Sequence, residues 1–280
     1  LYSAKNSLMS LVVNRQIQGK EYRGVYAGLP WFFQWWTRDE NISCGGLLAL
    51  QKDEIVKEIV LRQVSLMQND GRIGNRFPHS ALGSADGIGW WAKRVLDLLE
   101  RGVFSDSETI MLFDTALQQK KLLDEHYRDE KGVWNRPLET WIDTGKDTDV
   151  RDGYCLEIQL LYWCLDQLLV VLAQNTIRNY SPSIQLQQIK QNFWNGAYLN
   201  DRIDDEQVRI NIVIAYYLCP QLLSQQEWES CFDVMLEHLW LEWGGLASLS
   251  KHSDIFEPWY TGENNKSSHR GDSWHFLNNM

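Results

Sequence analysis

Clustered positive charge is scarce in this sequence. Its 27 Lys and Arg are outnumbered by 37 Asp and Glu, which gives a formal net charge of −10 and a pI of about 5.1. No basic run is longer than a pair, such as Lys120-Lys121. Nucleic acids and anionic membrane surfaces are bound through basic patches. We therefore expect neither as a partner, and a neutral ligand fits this composition better.

Motifs for cofactors and metals are also missing. The sequence contains no GxGxxG, P-loop, HExxH or GxSxG segment, and its six His are dispersed. Its five Cys are an odd number, without the spacing of a metal site or a disulfide framework. We therefore predict no metal and no cofactor. The cysteines are predicted to be buried free thiols in a reducing compartment.

The two ends of the sequence carry no targeting signal that we recognise. The opening LYSAKNSLMS has neither a basic start nor a long apolar run, so no signal peptide is predicted. Together with the free thiols, this favours a cytoplasmic location. The chain starts without Met and both ends interrupt the local pattern, so we expect them to be cuts through a longer protein.

Helical periodicity dominates, and the alternation typical of strands is scarce. Two capping boxes, Ser105 with Glu108 and Ser224 with Glu227, mark helix starts, and Asp86 is a predicted N-cap. We expect a single all-α domain of nine or ten helices over residues 1–280. The predicted helices lie at 41–50, 52–67, 86–100, 105–126, 156–173, 183–193, 208–218 and 224–241, with a last one from about 274.

The predicted helix at 156–173 is apolar on almost every face, which predicts burial on every face. We expect it to be too polar to span a membrane. The connections between helices include three long ones that are rich in Gly, Asn, Asp and aromatic residues. Long polar loops in a compact helical domain are usually functional. They lie at 71–86, 127–151 and 244–273.

Tryptophan is abundant, with 14 Trp beside 11 Tyr and 9 Phe. Indole rings fill cores, and they also serve as flat platforms for ligands such as sugars. The run WFFQWW at 31–36 comes directly before Thr37 and the pair Arg38-Asp39. Two interpretations are open from these residues alone. The aromatics are core and Asp39 caps a helix, or the run is a pocket wall and Arg38-Asp39 hydrogen-bonds sugar hydroxyls.

Three further stretches carry polar residues suited to chemistry. Trp141 precedes Asp143 by two residues, and an aromatic neighbour that desolvates a carboxyl group raises its pKa, as a general acid requires. The alternative is an ordinary turn aspartate. Glu157 lies in the first turn of the apolar helix, where the helix dipole favours a carboxylate, as a site residue or a structural cap. The stretch SSHRGDSW at 267–274 suits hydroxyl recognition or simply caps the next helix.

In their order and spacing, these stretches resemble the C-terminal glucosidase domain of glycogen debranching enzymes, especially the archaeal and bacterial amylo-α-1,6-glucosidase type. The resemblance covers nearly everything from Tyr26 onward, and WTRD at 36–39 is also similar to glucoamylases, which share the fold. The matching segments are GLPWFFQWWTRDE at 28–40, GSADGIGWW at 83–91, ETWIDTG at 139–145, EIQLLYW at 157–163 and YTGENNKSSHRGDSWHFLNN at 260–279.

The resemblance implies a fold and a reaction. The fold would be an (α/α) toroid of six helical hairpins, with a funnel-shaped active site at the N-terminal ends of the inner helices. The reaction would be inverting hydrolysis of the α-1,6-linked glucose stub of glycogen or a similar α-glucan, which agrees with a cytoplasmic location. The oligomeric state stays open.

The resemblance also assigns roles to individual residues. Asp143 would be the general acid, and Arg38 and Asp39 would hold the nonreducing glucose. The aromatic run at 31–36 would then form the wall of the sugar pocket. The residues that would line or support this subsite are Trp36, Trp141, Glu157, His269, Arg270 and Trp274.

One catalytic group has no counterpart. Inverting hydrolysis needs a second carboxylate roughly 6.5–9.5 Å from the acid, to activate water. In the family this glutamate lies downstream of the segment that matches HRGDSW, in a stretch absent here. Glu257 and Glu263 are the nearest candidates, and neither matches the position. We therefore expect a fragment, with a toroid incomplete at its C-terminus and no general base in the chain. Its activity in isolation stays open.

Two other interpretations stay open. The chain could be a glucoamylase-like, trehalase-like or processing glucosidase on the same toroid, which a comparison of α-1,6-linked and α-1,4-linked glucosides would distinguish. It could also be a non-catalytic helical module that binds glucan or a protein partner. That module would show no turnover even in a complete protein, and its Asp143 would titrate normally.

Overall fold

The computed structural model describes residues 2–78, 83–143, 150–259 and 267–280. The chain divides into two compact units, Leu1–Tyr127 with Leu161–Ser183, and Arg128–Leu160 with Ile184–Met280. Parts of the matching segments, including Gly145 and Glu263, lie outside the described residues. The prediction of one domain over 1–280 stays a prediction.

Helices are the main regular structure of the described residues, so the predicted helix-rich class is confirmed. Four short strands pair as two antiparallel ribbons, β1 (Val12–Ile17) with β2 (Lys20–Val25) and β3 (Trp35–Trp36) with β4 (Arg76–Phe77). The α-helices of the described residues are α1 (Tyr2–Leu11), α2 (Thr37–Ala49), α3 (Asp53–Gln63), α4 (Gly87–Glu100), α5 (Asp106–Tyr127), α6 (Leu156–Asn175), α7 (Leu186–Phe193), α8 (Asn211–Leu218), α9 (Gln225–Leu239) and α10 (His275–Asn278).

Two helix starts follow directly from capping chemistry. Ahead of α9, the Ser224 hydroxyl accepts the N–H of Glu227, and the Glu227 carboxylate accepts the N–H of Ser224. The same exchange joins Ser105 and Glu108 ahead of α5. Both predicted capping boxes are confirmed, because each depends on residues three positions apart and on nothing more distant.

The amino-terminal hairpin is a feature that periodicity does not predict. Strands β1 and β2 pair from Val12 opposite Val25 to a turn at Gln18-Gly19. The two turn residues have φ of 51° and 78°, left-handed values typical of a type I′ hairpin turn. No residue of β1 is buried. The strand therefore lacks the apolar alternation by which a half-buried strand is recognised.

Helix α6 is buried almost throughout, as its apolar pattern predicts. By length and composition it would pass as a membrane-spanning helix, so the expectation that it is too polar to span is wrong. Of the 18 most apolar consecutive residues of α6, 83% are buried, which identifies it instead as a core helix of the folded chain. Its packing against α4 is close, since a Cβ at Gly89 would lie 2.3 Å from Cβ of Leu161.

The cysteines are buried free thiols, as predicted. Burial raises the pKa of Cys219 and of Cys231 to about 12, and it raises the pKa of Cys44 and of Cys155 in the same direction. The thiolate is the reactive form of cysteine, so the thiols with a raised pKa are expected to be unreactive near neutral pH. The cytoplasmic location stays a prediction.

Candidate functional site

Trp35, in the middle of the aromatic run, belongs to the core of the first unit. Its ring is fully buried and stacks on Phe77, with 5.6 Å between the ring centroids. The guanidinium carbon of Arg62 lies 4.9 Å from the centroid of the Trp35 ring. Interpreting the whole run at 31–36 as a pocket wall is therefore wrong for Trp35, which cannot contact a ligand.

The other aromatic residues of the run remain accessible. Trp31, Phe32 and Phe33 are exposed, with 78% of Trp31 accessible. Trp36 is half-buried, and the guanidinium carbon of Arg76 lies 5.3 Å from the centroid of its ring. Trp36 directly precedes α2, so its position is set by the start of that helix.

Arg38 lies in the first turn of α2 and is held by a residue 48 positions away. Its Nη1 donates to Oδ2 of Asp86 at 2.9 Å, and both side chains are buried. The Ser84 hydroxyl donates to the other Asp86 oxygen, and it accepts the N–H of Gly87 at the start of α4. Asp86 therefore orients Arg38. It is the N-cap residue of α4, as predicted, but its side chain makes no capping hydrogen bond. Asp39 is half-buried.

Glu40, which follows this pair, is a fully buried carboxylate that the sequence does not single out. Nη2 of Arg62 donates to both of its oxygens, at 2.7 and 2.6 Å. Gln63 and the backbone N–H of Val25 donate to it as well. Glu40 thus ties the first turn of α2 to the end of α3 and to β2, which gives Arg38 a rigid base.

In the second unit, Asp143 ends the described part of its segment and is half-buried. The residues before it are sealed, since Thr140, Trp141 and Ile142 are each at most 5% exposed. The Ile142 N–H donates to the Thr140 hydroxyl at 3.2 Å, which closes a local turn. Asp143 is therefore the first residue of this segment that reaches a more open environment.

Trp141 lies at the centre of an aromatic group, which we call the Trp141 cluster (Trp141, His269, Trp274 and Phe276). Its ring centroid lies 5.3 Å from that of His269, 5.8 Å from that of Trp274 and 5.7 Å from that of Phe276, each with edge-to-face geometry. The rings of His269 and Trp274 stack, 5.2 Å apart and 8° from parallel. Aromatic pairs prefer edge-to-face and offset-stacked arrangements, so this packing favours particular ring orientations.

Glu157 belongs to a buried ionic group, which we call the Arg151 network (Arg151, Glu157, Asp201, Arg209 and Asn211). Arg151 donates to both oxygens of Glu157, at 2.6 and 2.9 Å. It also donates to both oxygens of Asp201, at 2.7 and 2.9 Å. Each of the five side chains is at most 2% exposed. The carboxylate of Glu157 is thus paired with Arg151. Because Glu157 is buried, it can support a site from behind but does not contact solvent.

Asp201 is the node of this network. Besides Arg151, it accepts from Nδ2 of Asn211 at 2.7 Å, and Nε of Arg209 lies 3.3 Å from its Oδ2. Burial alone would raise the pKa of Asp201, but the guanidiniums of Arg151 and Arg209 outweigh that effect and lower it. Burial likewise opposes the charged form of Arg151, but neighbouring negative charge, chiefly that of Asp201, raises its pKa.

The network and the cluster are joined by the loop that carries His269. Nη1 of Arg209 donates to the His269 carbonyl at 3.0 Å. Arg270 is half-buried, and its carbonyl accepts the N–H of Glu257. A Cβ at Gly271 would lie 2.0 Å from the Glu257 carbonyl oxygen, so only glycine fits where the loop passes this strand of backbone. Arg209 and Gly271 therefore hold the backbone at His269 and two residues after it, and so position the His269 ring.

The structure therefore brings some predicted site residues together and leaves the relation of others open. Trp141, His269 and Trp274 touch, and Glu157 is linked to Trp141 through the Arg151 network. Trp36, Arg38 and Asp39 belong to the other unit. That Arg38 and Asp143 meet around one sugar stays a prediction.

Sequence reasoning missed the partners of these residues. Asp86, Arg151, Asp201 and Asn211 are each buried and each hold a predicted site residue directly or through one neighbour. One signal was present, because Asn211 is the single polar residue in the apolar stretch 210–215, where a buried amide must find partners. For metals, no group of three or more His, Cys, Asp or Glu among the described residues is arranged to hold an ion.

Comparison with known proteins gives one clear result. A family profile described as amylo-alpha-1,6-glucosidase matches residues 6–280. A comparison with individual curated proteins gave no significant match. The family match covers the stretches from which the resemblance was inferred, and it extends that resemblance to the amino-terminal hairpin.

Proposed function

Because the chain belongs to the amylo-alpha-1,6-glucosidase family, we propose that it is a glycoside hydrolase that releases glucose from α-1,6-linked stubs of glycogen or a similar α-glucan, with inversion. The family accounts for the class of reaction. The six-hairpin toroid, the inverting outcome and the glucan substrate are parts of this proposal.

The observation that supports the proposal is the Trp141 cluster, whose central residue comes two positions before the half-buried Asp143. Trp274 and Phe276, the half-buried rings of the cluster, are aromatic surface of the kind that sugars stack on, whereas Trp141 and His269 are buried beneath them. The carboxyl group of Asp143 follows Trp141 by two residues. An ion network that is itself sealed from water holds the central ring. A half-buried carboxyl group at the edge of such a surface suits proton donation to a bound glycoside.

In the proposed mechanism, protonated Asp143 donates its proton to the glycosidic oxygen, and the bond from that oxygen to the anomeric carbon breaks. Positive charge grows on the sugar ring, and we expect carboxylates, Asp39 among them, to stabilise it. A water molecule activated by a second carboxylate attacks the opposite face, so the product is β-glucose. Arg38 and Asp39 stay the predicted ligands of the nonreducing glucose.

The experiment that tests the proposal replaces Asp143 with Asn. We expect glucose release from an α-1,6-glucosyl maltooligosaccharide to fall roughly 10²- to 10⁴-fold, the usual share of a general acid. Asp152→Asn is the matched control, since Asp152 is an exposed aspartate of the same unit. The assay uses the full-length protein, because no residue has been assigned as the water-activating carboxylate.

Three results would contradict the proposal. Unchanged turnover in Asp143→Asn would remove Asp143 as the acid. Faster release from α-1,4-linked glucosides or from trehalose would move the chain to another glycosidase type. Proton NMR that shows α-glucose as the first product would exclude inversion.

A second candidate is glucan binding without cleavage. Trp240 and Trp243 flank a short turn of the second unit, with 50% and 73% of their surfaces accessible. Exposed indoles of this kind can stack on sugar rings without any chemistry. Glucan binding by the full-length protein, with no glucose released, would favour this candidate.

A further inference from the structure

The indole of Trp141 is held differently from other indoles of this protein. The indole N–H groups of Trp91, Trp228 and Trp274 donate to backbone carbonyl oxygens. That of Trp141 donates to a side chain, Oδ1 of Asn211, at 2.7 Å. A backbone carbonyl would satisfy the indole equally well. The choice of an amide side chain therefore links the ring to whatever holds the amide.

The amide of Asn211 is held in one orientation by charge. Asp201 is ionised and accepts hydrogen bonds but cannot donate them, so the NH₂ group of Asn211 must face it, at 2.7 Å. The amide oxygen is then necessarily turned toward the indole. Asn211 is 1% exposed and is the first residue of α8. It cannot flip without losing both hydrogen bonds, and it cannot reach a sugar.

A second link reaches the same segment. Nη1 of Arg151 donates to the hydroxyl of Thr140 at 3.1 Å, and that hydroxyl accepts the N–H of Ile142. Thr140 and Trp141 are thus fastened separately, one to Arg151 and one to Asn211. Both fastenings end on the carboxylate of Asp201. The backbone that leads into Asp143 is therefore fixed at two successive residues.

We propose that Asn211 is a positioning residue for the general acid: it locks the plane of Trp141, and thereby the direction in which Asp143 leaves the buried segment. This inference rests on the proposed function of Asp143. Asn211 acts through Trp141 and touches no reacting atom. Misplacement of a catalytic group by about 1 Å can cost roughly 10²-fold in rate, so the hydrogen bond is worth far more to turnover than to binding.

The test compares two substrates that differ in their need for a proton. An α-1,6-linked glucoside has an alkoxide leaving group that must be protonated, whereas fluoride leaves α-glucosyl fluoride without an acid. In Asn211→Leu, which keeps the branched shape of the side chain and removes both hydrogen bonds, we expect glucoside hydrolysis to fall about 10²-fold with little change in KM. Hydrolysis of the fluoride should stay within a few-fold of the unmodified protein. Asn200→Leu, which removes another buried amide of the same unit, should leave the ratio of the two rates unchanged.

A spectroscopic measurement follows the ring itself. In protein labelled with ¹⁵N at tryptophan, Trp141→Phe identifies the Nε1–H signal of Trp141. We expect this signal to shift and to exchange with solvent faster in Asn211→Leu, and to be unmoved in Asn200→Leu. Trp141→Phe removes the same hydrogen bond from the other side. It should reproduce the selective loss on the glucoside, which keeps the test decisive if Asn211→Leu does not fold.

The outcomes separate this inference from the proposed function. Equal losses on both substrates, or an unmoved Trp141 signal, would show that Asn211 is merely structural and overturn the inference. The proposed function fails if Asp143→Asn slows hydrolysis of the glucoside and of the fluoride equally. It also fails if the unmodified protein hydrolyses neither substrate. The role of Asn211 in positioning the acid then fails as well. The spectroscopic result still decides whether Asn211 holds the Trp141 indole through its hydrogen bond.

Discussion

Replacing Asp201 with Asn is the sharpest test of how the second unit is held together. The carboxylate accepts two hydrogen bonds from Arg151 and one from Asn211, and it lies 3.3 Å from Nε of Arg209. The substitution keeps the shape and removes the charge. It also places an NH₂ group against a guanidinium, so that two donors face each other.

The expected loss of stability follows from burial and charge balance. Arg151, Arg209, Glu157 and Asp201 form a neutral set of two cations and two anions. Removing one anion leaves a net buried positive charge, and breaking a buried ion pair typically costs 3–5 kcal/mol. The Asn side chain can keep one neutral hydrogen bond, worth about 1 kcal/mol. We therefore expect a loss of about 3 kcal/mol in the free energy of unfolding.

Urea unfolding at pH 7, followed by circular dichroism and by tryptophan fluorescence, measures this loss. The comparison is valid where the slope of free energy against urea is the same for both proteins. Asp152→Asn is the control, because Asp152 is exposed and pairs with Arg202 at 3.4 Å, and exposed pairs contribute about 0–1 kcal/mol. A loss in Asp201→Asn no larger than in this control would refute the reasoning.

The pH dependence gives an independent check on Asp201. Its pKa is lowered from the ordinary value of 3.8 in the folded protein. A lowered pKa means that the stabilisation is fully present above 3.8 and is lost as the pH falls from there through the folded-state pKa. The difference in stability between the unmodified protein and Asp201→Asn should therefore be constant from pH 7 to pH 5 and shrink below 3.8. A gap that widened in acid would contradict the sign of the shift.

Two further predictions concern the backbone. Gly71 has a φ of +89°, and a Cβ there would lie 2.4 Å from the backbone nitrogen of Leu123. Gly71→Ala should destabilise the protein by more than Gly102→Ala, whose site has a similar φ but open space, and whose cost is about 1 kcal/mol; equal losses in urea unfolding would show that the clash is relieved. Ser224→Ala removes one half of the capping box with Glu227 and should cost about 1 kcal/mol, whereas an unchanged urea midpoint would show that the cap adds nothing.

Local signals in the sequence predicted the helices well. The two capping boxes and the burial of α6 depend on residues within a few turns of one another, and the structure confirms them. The hairpin of β1 and β2 was missed because only Gly24 and Val25 are buried in it, so its sequence shows no regular apolar face. Helix α1 has no buried residue either, and it was missed for the same reason.

The site shows where prediction from sequence ends. Residue types and positions at Trp141, Asp143 and His269 are visible as motifs, but their partners are not. Arg38 is adjacent to Asp39 in sequence, yet neighbours on a helix do not face each other, and its partner is Asp86, 48 residues away. Choosing such a partner requires the tertiary fold, which no local pattern specifies.

The composition of the Arg151 network argues for orientation as its main role. A buried set of charges is seldom more stable than apolar side chains of the same volume, so stability alone does not explain four ionised groups around Asn211. What charges supply and apolar groups do not is direction: a guanidinium donates hydrogen bonds, and a carboxylate accepts them, only along fixed lines. Those lines end at Thr140, at the indole of Trp141 and at the His269 carbonyl. An apolar core would pack around these three groups but would supply no hydrogen bond to set the plane of the Trp141 ring. The direction in which the chain leads from Trp141 to Asp143 would then be less well defined.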